Sequence, residues 1–224
     1  MGGVDLSLEN HGAARHDRAA LFLLDEVERV LADCPRDRAG VRLHGIAGLD
    51  RLLATSKAVG RIAAEHLGAA ARPVRAILFD KSPGANWVLG WHEDRTIAVR
   101  ERHDLPGYGP WSIKAGIQHV EPPFAVIERM VTLRIHLDPV PVDNAPLLIA
   151  PGSHRLGRIA EPDIASIARR CGTVACLAER GDVWRYATPI LHASAASTGH
   201  ARRRVLQVDY AAAELMSPLA WLGL

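Results

Sequence analysis

From Pro73 onward the chain is cut into short apolar runs by proline and glycine, and no other feature limits its fold as much. Runs at 74–79, 96–99, 130–137, 147–150, 183–186 and 205–210 have strand length. The run at 130–137 alternates apolar with polar residues, the period of a half-buried strand. Turn-forming pairs stand between the runs: Pro83-Gly84, Pro106-Gly107, Pro122-Pro123, Pro151-Gly152 and Gly181-Asp182. Several short strands in this rhythm predict a β-sandwich or jelly roll.

The first seventy residues read as helical instead. Leu21, Leu24, Val27 and Leu31 recur three and four apart, with Asp17 as the expected N-cap. A second helix is predicted from about Leu49 to Leu67, ended by Gly68. The expectation is therefore one domain over 1–224, mainly β with flanking α: helical support over 1–72 and a jelly-roll core over 73–214. Segment 100–124 has little periodicity and reads as a long loop, of the kind that serves as a lid over a site.

Composition removes several function classes. A net charge of +2 gives no electrostatic case for nucleic acid or an anionic membrane. The longest apolar stretch, 19–24, is far too short to span a bilayer, and 1–12 lacks the pattern of a secretory signal. Three cysteines, Cys34, Cys171 and Cys176, contain no CxxC pair, so neither a disulfide framework nor a cysteine zinc site is expected, and a cytoplasmic location is the default.

Eleven histidines make metal binding worth pursuing. In His92-Glu93-Asp94 the two outer residues project to one face of a strand, and a later histidine would complete a two-His, one-carboxylate set on iron. The pattern is weak alone. With 11 His and 14 Asp in 224 residues chance gives about 0.7 such spacings, and there are two. The second, His136-Leu137-Asp138, closes a strand before a proline-rich turn and reads better as a turn cap. Spacing leaves His154, His192 and His200 open as the third ligand. Of the adjacent Arg202, Arg203 and Arg204, the middle one must point opposite to its neighbours, and parity does not say which face is inside.

Four blocks taken together resemble the phytanoyl-CoA dioxygenase family of iron(II)- and 2-oxoglutarate-dependent oxygenases: KSPGANWVLGWHED at 81–94, NAPLLIAPGSH at 144–154, GDVWRYATPILHAS at 181–194 and RRVLQVDY at 203–210. The resemblance covers somewhat over half the chain. It implies a double-stranded β-helix, a cupin-like jelly roll. It implies His92, Asp94 and His192 as Fe(II) ligands, Arg203 as anchor of the distal 2-oxoglutarate carboxylate, and Ser194 as a hydroxyl on that carboxylate. Asn144 and the 151–154 turn, with His154, are implied to be scaffold. Lys81, Asn86 and Trp91 are implied to be packing or secondary co-substrate contacts.

The activity implied is hydroxylation of a small molecule, using O2 and decarboxylating 2-oxoglutarate to succinate. Asp94 argues against a halogenase, which typically has Gly or Ala there. Glu93 replaces a common Gln, on the opposite strand face. Two other readings remain: a non-catalytic jelly-roll binding protein, and a zinc hydrolase with Glu93 as its base. The basic residues Arg95, Arg100, Arg102, His103, Lys114 and His119 would suit an acidic substrate or a solvated loop, and Trp87, Trp91 and Trp111 a pocket or the core.

Overall fold

The computed structural model describes residues 6–36 and 38–224. In chain order the strands are β1 (Ala13–His16), β2 (Val41–Leu43), β3 (Arg72–Lys81), β4 (Leu89–His92), β5 (Ile97–Val99), β6 (Trp111–Lys114), β7 (Ile117–Val120), β8 (Met130–His136), β9 (Leu147–Ile149), β10 (Val174–Cys176), β11 (Val183–Ala187), β12 (His192–Ser194) and β13 (Arg203–Ala211). The α-helices are α1 (Leu8–His11), α2 (Leu24–Val30), α3 (Leu49–Leu53), α4 (Ala58–Leu67), α5 (Phe124–Ile127) and α6 (Ile164–Cys171). Among the described residues no helix is long and apolar enough to cross a membrane. Part of the 1–12 stretch read as lacking a signal, residues 1–5, lies outside the described residues.

The fold is mainly β, as expected. A six-stranded antiparallel sheet, ordered β1-β11-β8-β13-β3-β2, faces a four-stranded one, β10-β9-β12-β4. The two are not closed into a barrel. Helices cover the outer face of the larger sheet: Leu24, Val27, Leu49, Leu53, Val59 and Ile62 pack against Val131, Leu133, Ile135, Leu206 and Val208. A fully buried side chain of this kind contributes about 1.5–3 kcal/mol. The Tyr210 hydroxyl donates to Leu53 O at 2.8 Å, tying helix to sheet.

Several local expectations change. Asp17 is not an N-cap; it pairs with Arg15, and a 3-10 turn at Leu21–Leu23 leads into α2. The stretch from Leu49 to Leu67 is two helices, because the chain turns at Ala54 and α4 packs back against that turn. A Cβ on Gly60 would lie 2.3 Å from Ala54 O, so only glycine allows this approach. Gly68 does end α4. The first seventy residues are also not purely helical. β1 and β2 are the two edges of the large sheet, and strands of four and three residues are too short to show a period.

Segment 100–124 is not a structureless loop. β6 and β7 form a hairpin that joins β5 in a third sheet, packed through Ile97, Val99 and Val120 on Leu219 and Trp221. The hairpin turns at Ala115 and Gly116 with φ of 52° and 79°. That geometry favours Asn-Gly, and alanine there hid the turn. The strand at 130–137, read as half-buried, is buried on both sides: Thr132, Arg134 and His136 face the other sheet rather than water.

Candidate active site

β4 and β12 are antiparallel neighbours, and His92 lies directly opposite His192. Their ring centroids are 4.2 Å apart. Each imidazole places Nδ1 on a backbone carbonyl two residues earlier: His92 on Gly90 O at 2.8 Å and His192 on Ile190 O at 2.9 Å. A carbonyl only accepts, so both Nδ1 atoms carry a proton, and in the neutral ring Nε2 is the atom left with a lone pair. Asp94, just beyond β4, completes a set whose ligand atoms all lie within 4.8 Å of one another. Two neutral imidazoles and a carboxylate on one side suit a divalent ion with open positions opposite. The carbonyl contacts fix the rings as outer-shell partners do in metal sites.

Electrostatics keep His192 and Asp94 in their ligating forms. Burial pushes His192 down to about 4, with Asp94 opposing. Burial alone would raise Asp94, but the Arg75 guanidinium and the two histidines hold it below the usual carboxylate range. Arg75 is itself held by Asp209, which accepts a 2.9 Å hydrogen bond from Thr132 Oγ1, and Arg75 Nη2 lies 3.9 Å from Asp94. Burial raises Asp209, with the Arg75 guanidinium opposing.

The triad opens into a cavity of about 340 Å3, within the range of about 300–1,000 Å3 typical of small-molecule sites. Arg203 and Ser194 line it. Arg203 pairs in register with Lys81 and points inward; Arg202 and Arg204 point out, to Asp80 and to Asp138 and Glu28. Both Arg203 Nη1 and Ser194 Oγ donate to Ala145 O, at a residue held at φ 48°. Arg203 Nε is buried with no partner. Burial, then the nearby Arg134, lowers Arg203 to about 9. A buried guanidinium with an unused donor can take an anion.

Other residues named from sequence hold this frame. Lys81 Nζ donates to Trp87 O at 2.8 Å and Ala195 O at 2.7 Å, and Asn86 exchanges two hydrogen bonds with the Ser197 backbone. Ser153 donates to Ala150 O and accepts from Leu191 N, fixing the chain just before His192. His154 packs over Gly12 and His200 is exposed; neither joins the triad. Glu93 turns away: its carboxylate accepts from Arg95 and from Ile159 N, which removes it as the base of a zinc hydrolase. Trp87 lines the cavity, whereas Trp91 and Trp111 pack in satellite clusters. His136 is buried without a hydrogen-bond partner on either ring nitrogen, while Asp138 accepts from Arg204 N, so they do not form a joint turn cap. Sequence reading missed Arg134, Gln207 and Arg75. The alternation along 130–137 and 203–210 was the only signal for Arg134 and Gln207.

Facing sheets thus bring together a His-Asp-His set that could hold a metal ion and, in the same cavity, a buried arginine. The sequence profile of phytanoyl-CoA dioxygenase (PhyH) matches residues 50–205. The chain belongs to that family, whose members are iron(II)- and 2-oxoglutarate-dependent oxygenases. No curated protein sequence matches it. Among solved structures it is similar to apo EctD from S. alaskensis, with a TM-score of 0.65 and 18% identity over 97% of this chain and 78% of that one. It is also similar to SnoK, a non-heme alpha ketoglutarate dependent carbocyclase from nogalamycin biosynthesis (0.60, 19%, 91% and 80%). HygX from Streptomyces hygroscopicus, with nickel and 2-oxoglutarate bound, gives 0.61 and 12% over 91% and 84%.

Proposed function

We propose that this protein hydroxylates a small molecule, with Fe(II) held by His92, Asp94 and His192 and 2-oxoglutarate held by Arg203 and Ser194. The observation that carries the reading is the pair of histidines opposed across β4 and β12, both offering Nε2 beside Asp94. When bound, the iron and its co-substrate supply oxidation of a substrate C–H bond by O2, with succinate and carbon dioxide as products. The residues supply position. Arg203 meets the distal carboxylate in a site where water is scarce, which strengthens the contact. Ser194 adds a hydroxyl on the same side, and Ala145 O fixes both donors. Asp94 stays ionised beside Arg75 and leaves no ligand position for chloride, which favours hydroxylation over halogenation. SnoK, a carbocyclase, shows that related scaffolds also host other outcomes.

The test is direct. Purified protein with Fe(II), ascorbate and 2-oxoglutarate is expected to release succinate slowly, and faster with the right substrate. Asp94→Ala is expected to lose Fe(II) binding by calorimetry together with succinate release. Retention of both in that variant would overturn the ligand assignment.

A further inference from the structure

The cavity holds more positive charge than the proposed reaction uses. Arg42, Arg75, Lys114, Arg134 and Arg203 line it, against Asp94 and, behind Arg75, Asp209. A ferrous ion and a dianionic co-substrate cancel each other, so loading both leaves the excess in place. Two of these cations stand away from the co-substrate end. Arg203 is level with Lys81 on β3, while Arg42 is level with Ile77, four residues along, or roughly 13 Å. Lys114 comes from the other side, on the hairpin, with Nζ 3.5 Å from Thr96 Oγ1, and Arg75 donates to Thr96 O at 3.0 Å.

Arg42 Nε is buried without a hydrogen-bond partner, and neither Arg42 nor Lys114 has a carboxylate within 4 Å among the described residues. His119 behind them keeps Nδ1 on Ile117 O and its Nε2 buried and unpartnered, so it brings no negative charge. An arginine fork beside a lysine point charge is a pairing that suits an oxyanion.

We infer that Arg42 and Lys114 form a second anion subsite, and that the substrate carries a carboxylate or phosphate which they hold while its reacting carbon faces the triad. This rests on the oxygenase reading. It narrows the substrate class to anions small enough for the cavity. It also separates Lys114 from the other basic residues of 95–119: Arg102 and His103 pair with Asp104 and Glu101 at the surface.

The test is calorimetry on protein loaded anaerobically with Fe(II) and saturating 2-oxoglutarate. Benzoate, phenyl phosphate and benzyl alcohol are titrated into wild type, Arg42→Gln, Lys114→Met and the double variant, with thermal unfolding as the check on folding. The anions are expected to bind about tenfold or more tighter than the alcohol, with the preference lost in the double variant and weakened by salt. The stronger of the two anions tells carboxylate from phosphate. Equal binding of all three probes, a preference that survives the double variant, or displacement of 2-oxoglutarate by the anions would overturn the subsite. If wild type binds no Fe(II) and 2-oxoglutarate, the oxygenase reading fails separately. The same titrations on metal-free protein then decide the anion site: a preference abolished by the double variant supports it, and no preference overturns it.

Discussion

Along β8 the residues at 131, 133 and 135 and those at 132, 134 and 136 are buried alike, between 0% and 5% exposed, yet they differ completely in chemistry. Val131, Leu133 and Ile135 meet the helices. Thr132, Arg134 and His136 face the second sheet, and β13 repeats the contrast with Leu206 and Val208 outward and Arg203, Gln207 and Asp209 inward. The outer face stabilises the fold. The inner face costs stability wherever a donor or acceptor is unmet, as at Arg134 Nε, Arg203 Nε and both nitrogens of His136. Burial therefore does not separate core from site here; along β8 and β13 the unmet hydrogen-bonding atoms fall on the inner face.

The largest expected effects lie at the extremes of the two faces. Asp94→Ala should bring succinate release to the level of metal-free protein. Leu133→Ala should cost about 2–5 kcal/mol in denaturant unfolding while the surviving folded protein still binds Fe(II); a loss below about 1 kcal/mol would break the contrast.

Arg203→Met sharpens it. The 2-oxoglutarate Kd should rise about tenfold or more, whereas unfolding stability should hold or increase, because an unpaired buried charge is replaced by an apolar chain. Arg203→Lys should not restore affinity, since lysine lacks the fork. A clear loss of stability in Arg203→Met would show that the inner face is structural after all.

The pH response should come from the buried imidazoles. In the folded protein His192 and His119 are lowered to about 4, and His136 well below 6.5, with burial the main cause. The unfolded chain takes up these protons near 6.5, so their contribution is complete above that pH and is lost as pH falls toward 4. In metal-free protein Leu133→Ala should lower the stability curve in parallel between pH 7.5 and 5, and His136→Gln should flatten it. An unchanged slope in His136→Gln would remove the imidazole explanation. Arg102→Ala should be the mildest, within about 0.5 kcal/mol, because its pair with Asp104 is exposed.

Much of this was legible. Residues 74–79, 130–137 and 205–210 lie within or nearly coincide with β3, β8 and β13, and the blocks around His92, Asp94 and His192 placed the triad. Their identities carry their own signal: a strand-length apolar run, or a ligand pair two apart. Other elements gave no such sign. β4 and β12 are four and three residues long, β6 and β7 meet at an Ala-Gly turn, and Gly60 splits a continuous helical pattern only because a backbone carbonyl approaches it.

Residue type and spacing thus offered the candidate ligands, the family blocks selected His92, Asp94 and His192 among them, and the apolar runs marked the longer strands, because these depend on local chemistry and a period of two. Only the tertiary structure decided which face of each strand is inside. Alternation says that Arg203 opposes Arg202 and Arg204, and that Arg134 opposes Leu133. It took the helices packing on the apolar face to turn Arg203, Arg134 and Gln207 inward, and the β5–β7 sheet to bring Lys114 to the same cavity as Arg42.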